Sequence, residues 1–440
     1  MTNEQTYDHL IQLFRQQFEQ LQDHRKGKNI TYKISDAVLG AFAVFFTQSP
    51  SFLAHQRQMK RTKGLSNAES LFQIEQIPSD PQIRNLLDPI EARILYPLFR
   101  KVLAKLEQTD YLDAFRFLGS LLISLDGTRF FSSQNIQCPS CSHRITTNKT
   151  TGEETTTYFH DVIIPVLVAP ESNRVITLEP EFIVPQDGHD KQDCEQVAAK
   201  RWIDRNAHQF AGSKATVLGD DLYCTQPFCE LLLKHGFDFI LTCKPDSHST
   251  LYEWVDFTGP EELVVRHWNG RFGEIHTYRY VQHVPLRRGD DALYVDWCEL
   301  TITRETDGRV LYRNAFATNH SVTQETVELI VQAGRTRWKC ENESHNVLKT
   351  KGYHLEHNFG HGKQNLASVL LTLNLLAFLL HTVLHMASHK YLLLRKELAT
   401  RQTFFQDIRT LTRYLFFNSW EALLDFMITQ LELAPDLDSS

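Results

Sequence analysis

Leu121-Leu122-Ile123-Ser124-Leu125, closed by Asp126-Gly127, is a short apolar run ending in an acid and a turn residue. It is too short for a helix of its own and reads as a buried core strand. Working outward, Thr155 to Val168 and Val175 to Val184 read as two further strands, joined by the turn Pro170-Glu171-Ser172-Asn173. Asp190, with Asp193 three residues on, suits the start of a helix reaching about Gln209. Thr216-Val217-Leu218 is another buried strand and ends at Gly219-Asp220. A helix from Pro227 to Lys234 and the strand Phe237 to Thr242 complete the series. Three strands, then helix, strand, helix and strand predict an α/β layer with a mixed sheet. The first strands form a meander, and the helix-linked strands run parallel.

The flanks differ. Residues 1–115 carry apolar positions at helical spacing, such as Leu10, Leu13, Phe14, Phe18 and Leu21. Ser35-Asp36 and Asp80-Pro81 read as helix starts. Two acid-free basic stretches lie here, His24 to Lys33 and His55 to Gly64, the latter with Arg57, Lys60, Arg61 and Lys63. Solvated surface and phosphate contact both explain them. Residues 251–324 break the alternation, with strands expected at Val264 to Trp268, His276 to Tyr280, Leu293 to Ile302 and Val310 to Ala317. Helix resumes at Thr323 and continues to the end. The boundaries expected are therefore 1–115, 116–250, 251–324 and 325–440.

Leu366 to Leu384 is almost continuously apolar and about as long as a membrane span. It contains Asn374 and His381, and its flanks lack the Lys/Arg asymmetry of a spanning segment. A core helix covered on all sides is the preferred reading, with no membrane.

The 440 residues are 42% hydrophobic and 22% charged, so disorder is not expected. The net charge of −7 argues against indiscriminate coating of nucleic acid, although local patches decide phosphate contact. Eight scattered cysteines do not form a disulfide framework and suit a reducing compartment. The polar start, Met1-Thr2-Asn3-Glu4-Gln5, does not resemble a secretory signal, and a cytoplasmic location is expected.

Three acids stand out by position. Asp126 and Asp220 each close a core strand, and strand C-termini face the ligand crevice of an open α/β sheet. Glu341 lies on a helix with Arg337 and His345 along the same face. Carboxylates converging without Cys or His suit Mg²⁺ or Mn²⁺, and two such ions can drive phosphodiester chemistry. A turn residue or cap explains either aspartate alone. An i,i+4 surface pair explains Arg337 and Glu341. The span 335–363 holds six Lys/Arg against three acids, which suits a phosphate backbone.

Leu125-Asp126-Gly127-Thr128, Gly219-Asp220-Asp221-Leu222-Tyr223 and Arg337-Trp338-Lys339-Cys340-Glu341 resemble the three motifs of bacterial insertion-sequence DDE transposases. The resemblance is to the cut-and-paste group with a Tyr-x2-Arg-x3-Glu-x6-Lys signature, and it spans most of residues 116–385. It implies an RNase H-like catalytic core and a β-rich insertion between the second Asp and the Glu. Asp126, Asp220 and Glu341 would be the ligands of two Mg²⁺ or Mn²⁺ ions, with Arg337 at the matching arginine and Lys349 as the candidate lysine. The implied partners are double-stranded DNA, as terminal inverted repeats and target, and a second copy of the chain on that DNA, so the protein would associate with the nucleoid. The chain departs from the signature twice. Gly334 stands where the tyrosine would be. Lys349 follows Glu341 by eight positions rather than seven, about 80° off its face on a regular helix, with Leu348 in the expected slot. Glu343 and Asp221 are alternative acids. A nuclease that only cuts, a non-catalytic DNA-binding relative and, more distantly, a membrane protein are the rival readings.

Cys138-Pro139-Ser140-Cys141-Ser142-His143 is a separate signal. Cys-x2-Cys is a half-site for structural Zn²⁺, which His143 or His160 would complete, and free thiols in a polar loop are the alternative. Trp268 and Trp297 suit either stacking on an extruded base or sheet packing.

Overall fold

The computed structural model describes residues 6–26, 30–59, 65–185, 193–398 and 400–433. Lys28, Lys60, Arg61 and Lys63 of the basic stretches, and Asp190, lie outside them.

Six helices come first: α1 (Thr6–Phe18), α2 (Ile34–Phe46), α3 (Phe52–Gln58), α4 (Asn67–Phe72), α5 (Asp80–Leu87) and α6 (Pro97–Glu107). The cap before Pro81 is Ser79, one residue earlier than expected. Asp36 lies inside the first turn of α2, where it accepts from Arg15 at 2.8 Å.

Eight strands follow: β1 (Arg116–Phe117), β2 (Ser120–Ser124), β3 (Gly127–Ser133), β4 (Ser142–Thr147), β5 (Glu154–Ile163), β6 (Val166–Ala169), β7 (Ser172–Thr177) and β8 (Glu181–Ile183). Then come α7 (Glu195–Asn206), β9 (Ala215–Gly219), α8 (Gln226–Lys234), β10 (Asp238–Thr242) and α9 (Ser249–Thr258). Four long strands, β11 (Glu261–Trp268), β12 (Gly273–Pro285), β13 (Tyr294–Arg304) and β14 (Val310–Thr318), precede α10 (Val327–Arg335). A π-helical turn, Cys340–His345, leads into α11 (Asn346–Thr350). The chain closes with α12 (Leu366–Ala387), α13 (His389–Glu397), α14 (Arg401–Tyr414) and α15 (Trp420–Gln430).

The expected mixed α/β layer is present. Ten strands form one sheet, ordered β11-β12-β13-β14-β10-β9-β2-β6-β7 with β1 beside β2. The centre is parallel: β9 pairs in parallel with both β2 and β10, while β2, β6 and β7 form an antiparallel meander. Every residue of β2 and β9 is buried, as helix-covered central strands require. The 251–324 strands fall where expected, and β14 pairs with β10, so they extend the central sheet as one continuous surface.

The two long runs after Gly127 behave differently from expectation. Each splits at a proline, Pro165 and Pro180, which cannot donate to a ladder. The pieces β5 and β8 leave the main sheet and join β3 and β4 in a second, four-stranded sheet.

The apolar stretch is α12, the one helix among the described residues long and apolar enough to cross a membrane. It is mostly buried inside the protein, chiefly against α2 and β7. Asn374 and His381 find protein partners, although Asn374 Oδ1 is buried without one. Asn374 Nδ2 donates to the Tyr353 carbonyl at 2.9 Å, and His381 bridges the Tyr353 hydroxyl (2.6 Å) and the Phe46 carbonyl (2.9 Å). Asp88 receives the backbone N–H groups of Gln364 and Leu366 at 3.0 and 3.1 Å, which caps the helix from a distant part of the chain.

Candidate functional site

Ser124 and Leu218 are register partners on β2 and β9, so Asp126 and Asp220, each two residues further on, leave the sheet side by side. Ser124 Oγ donates to the Arg337 carbonyl at 3.4 Å and fastens the following helix over the same edge. Gly334 explains how closely that helix can lie. A Cβ there would sit 2.7 Å from Phe316 and 2.9 Å from Ile240, so the tyrosine of the signature has no room. Lys339 adds a second fastening: its Nζ donates to the carbonyls of Ala169, Pro170 and Ser172 at 2.6, 2.6 and 2.8 Å.

Arg337 Nη1 pairs with Glu341 Oε1 at 2.7 Å. Burial works against the arginine's charge, but Glu341, Asp126 and Asp220 together raise its pKa, so one guanidinium feels all three acids. The Asp220 carboxyl is pushed up by burial and also by Asp126, against the opposing pull of the Leu222 N–H and of Arg337. His345 Nδ1 lies 3.3 Å from Asp126 Oδ2. With Cys340, these two form a compact group whose ligand atoms are all within 4.8 Å.

A fourth acid belongs to this cluster and was not singled out from the sequence. Glu195, in the first turn of α7, accepts from the Gly127 N–H at 3.0 Å and from the Tyr223 hydroxyl at 2.7 Å with the same oxygen. It thereby links the chain just beyond Asp126 to the chain just beyond Asp220. Gly127 permits this approach, since a Cβ there would lie 2.5 Å from Glu195 Oε2. Burial, then the charges of Asp126 and Asp220, raise the Glu195 pKa. The available signal was an acid opening the helix that feeds the Asp220 strand, but a helix N-terminus explains such an acid equally well.

The alternative acids face elsewhere. Asp221 accepts from the Lys244 N–H and the Ser247 hydroxyl, both at 2.6 Å. Glu343 lines a separate cavity with Glu171, Arg174, Phe378 and Arg401. Lys349 needs a different geometry from the regular helix assumed above. The π turn inserts one extra residue between Glu341 and Lys349, so eight steps cover about the rotation of seven and remove the 80° offset. The lysine ammonium pairs with Glu356 at 2.9 Å. The basic surplus over 335–363 is thus partly spent inside the protein, on Glu341, on Glu356 and on the carbonyls around Lys339.

Trp297 is buried and packs edge-on to Tyr252, which removes it from any base-stacking role. Trp268, at the end of β11, is 71% exposed. Of the candidate zinc ligands, Cys138, Cys141 and His160 meet, but the fourth member is His361. His143 is exposed on β4 beside Tyr158, outside that group, because alternation along the strand turns it away from Ser142 and the buried face. Burial, then Cys141, push the Cys138 thiol up to about 12, and burial, then His361, lower His160 to about 4. A third group that can hold a metal ion, Cys224, Cys243 and His248, is buried behind Asp221.

No family model matches the chain, and no curated protein matches it.

Proposed function

We propose that this chain is a DDE DNA transposase with an RNase H-like catalytic core. The observation that carries the reading is the exit of Asp126 and Asp220 from adjacent parallel strands beside the turn and π-helical segment that bear Arg337 and Glu341. The order β7-β6-β2-β9-β10, with β6 alone running against the other four strands, supports the core assignment.

The carboxylates suit Mg²⁺ or Mn²⁺, since these hard ions prefer oxygen ligands. Burial and mutual repulsion push Asp220 and Glu195 up, a cost that a nearby dication relieves. Asp126, Asp220 and Glu341 would hold two ions, which supply an activated water and neutralise the leaving oxygen. The chain's own residues position these ligands. Arg337 pairs with Glu341 and feels the charges of both aspartates, Glu195 ties the two strand exits together, and His345 flanks Asp126. The proposed reaction is hydrolysis at an element end, freeing a 3′-OH, then attack of that hydroxyl on a phosphodiester of target DNA. The remaining proposals are terminal inverted repeats and target DNA as partners, a homodimer on DNA, and a cytoplasmic, nucleoid-associated location.

The test is a plasmid carrying the DNA that flanks the reading frame, incubated with the protein and Mg²⁺ or Mn²⁺. Wild type should cut and then join the freed 3′ ends to target. Asp126→Asn should retain DNA binding and lose cleavage. Cleavage by D126N at the wild-type rate would remove Asp126 from the site. Cutting without joined product would favour a nuclease.

A further inference from the structure

Away from the acidic cluster, three segments distant in sequence bring four side chains to one point. Cys138 and Cys141 lie in the connection from β3 to β4, His160 lies on β5, and His361 precedes α12 by five residues. The sulfurs are 3.8 Å apart, and His160 Nε2 is 3.5 Å from Cys138 Sγ and 3.4 Å from Cys141 Sγ. His361 Nε2 is 3.4 Å from Cys141 Sγ and 3.1 Å from His160 Nε2.

We propose that Cys138, Cys141, His160 and His361 bind one structural Zn²⁺, which fastens the 351–365 segment to the second sheet. Zn–S bonds of about 2.3 Å and Zn–N bonds of about 2.0–2.1 Å require tetrahedron edges of about 3.8 Å for S···S, about 3.5 Å for S···N and about 3.3 Å for N···N. The five separations above follow that order, and the sixth pair, Cys138 Sγ and His361 Nε2, lies within 4.8 Å. Hydrogen bonding alone does not account for the two histidines, because His361 Nδ1 donates to the Gly362 carbonyl and His160 to the Ser140 backbone, which leaves both Nε2 atoms as acceptors facing each other at 3.1 Å. A shared cation satisfies all four.

The surroundings are those of a closed structural site. Cys141, His160 and His361 are buried, and four protein ligands leave no position for water or substrate. The outer atoms of the ligands are also held. His361 Nδ1 lies 3.1 Å from the Gly362 carbonyl, a backbone hydrogen bond to Ser140 holds His160, and the Cys138 N–H points at Cys141 Sγ at 3.4 Å. Phe130 stacks on His160, and Phe131 packs against His361 at 4.4 Å between ring centres.

The consequence lies in chain connectivity. His361 is 220 residues beyond Cys141, in the segment that joins the Glu341 helix to the buried α12. Tyr353 on Asn374 and His381, Phe359 on Phe45, and Asp88 on the start of α12 also anchor that segment. The metal adds a coordinate tie between it and the β3–β5–β4 sheet, beside the packing of Phe131 on His361. This assignment does not depend on the transposase reading.

Elemental analysis of the full-length purified protein tests it. Wild type should carry one zinc per chain, and His143→Ala and Cys243→Ala should retain it. His361→Ala and Cys138→Ser should carry almost none and show faster proteolysis within 351–365. If those two variants fail to fold, wild type exchanged with Co²⁺ should still show the intense visible bands and thiolate charge-transfer absorption of a tetrahedral Cys₂His₂ site. Wild type free of zinc, iron in its place, full zinc in H361A, or loss of zinc in C243A in place of C138S would each overturn the assignment.

Discussion

The guanidinium of Arg337 and the carboxylate of Glu341 are 2.7 Å apart, and the same arginine feels the charges of Asp126 and Asp220. In the metal-free protein it is thus a counter-charge to Glu341, Asp126 and Asp220. Arg337→Gln should lower the melting temperature of the metal-free protein, and added Mg²⁺ should then raise it by more than it raises the wild type. Thermal unfolding with and without Mg²⁺ checks this. An equal Mg²⁺ response in both proteins would mean that the arginine and the ions do not share a site.

Asp220 and Glu195 hold their protons more tightly in the fold than in the unfolded chain, chiefly through burial. The folded state therefore binds more protons than the unfolded state between the two sets of pKa values, so stability falls as pH rises through that window. The window opens at about pH 4, where unfolded carboxylates titrate, and closes above the raised folded values. Without added divalent ions, Asp220→Asn should show a shallower decline of melting temperature across this range than wild type. Parallel curves would contradict the assigned environment of Asp220.

Glu195→Gln removes a negative charge but keeps an oxygen to accept from Tyr223 or Gly127. The metal-free protein should become slightly more stable, while the Mg²⁺ concentration needed for half-maximal thermal stabilisation rises. Unchanged Mg²⁺ dependence would confine Glu195 to a structural link.

Lys339 is buried against three carbonyls, so Lys339→Ala leaves those acceptors without their ammonium. The expected cost is about 2–3 kcal/mol in urea unfolding. A change below about 0.5 kcal/mol, typical of a surface substitution, would show that the contact is not made in solution.

How far the sequence could be read depended on how local each signal was. Asp126 and Asp220 were legible because each closes an apolar run, and the order of those runs yields the mixed sheet. The second sheet was not, because Thr155 to Val168 and Val175 to Val184 keep their strand composition across Pro165 and Pro180, and composition does not say which sheet a piece joins. The geometry of Lys349 was hidden by the π turn, since an i→i+5 turn has no residue pattern that separates it from an α-helix. His361 could not be paired with Cys138-x2-Cys141 at a separation of 220 residues from Cys141, whereas His143, two residues past Cys141, was the obvious wrong partner. The core position of α12 was readable from Asn374 and His381, although its chief neighbours are α2 and β7, and its hydrogen bonds to Tyr353 reach the segment after the Glu341 helix and not that helix itself.

The central claim is that Asp126, Asp220 and Glu341 form a binding site for divalent ions. Titration of full-length protein with Mn²⁺, with free Mn²⁺ followed by electron paramagnetic resonance, tests it most directly. The account predicts Mn²⁺ binding that Mg²⁺ displaces, and that is lost in Asp126→Asn and in Asp220→Asn while both variants stay folded. Mn²⁺ binding of wild-type strength in either folded variant would contradict it.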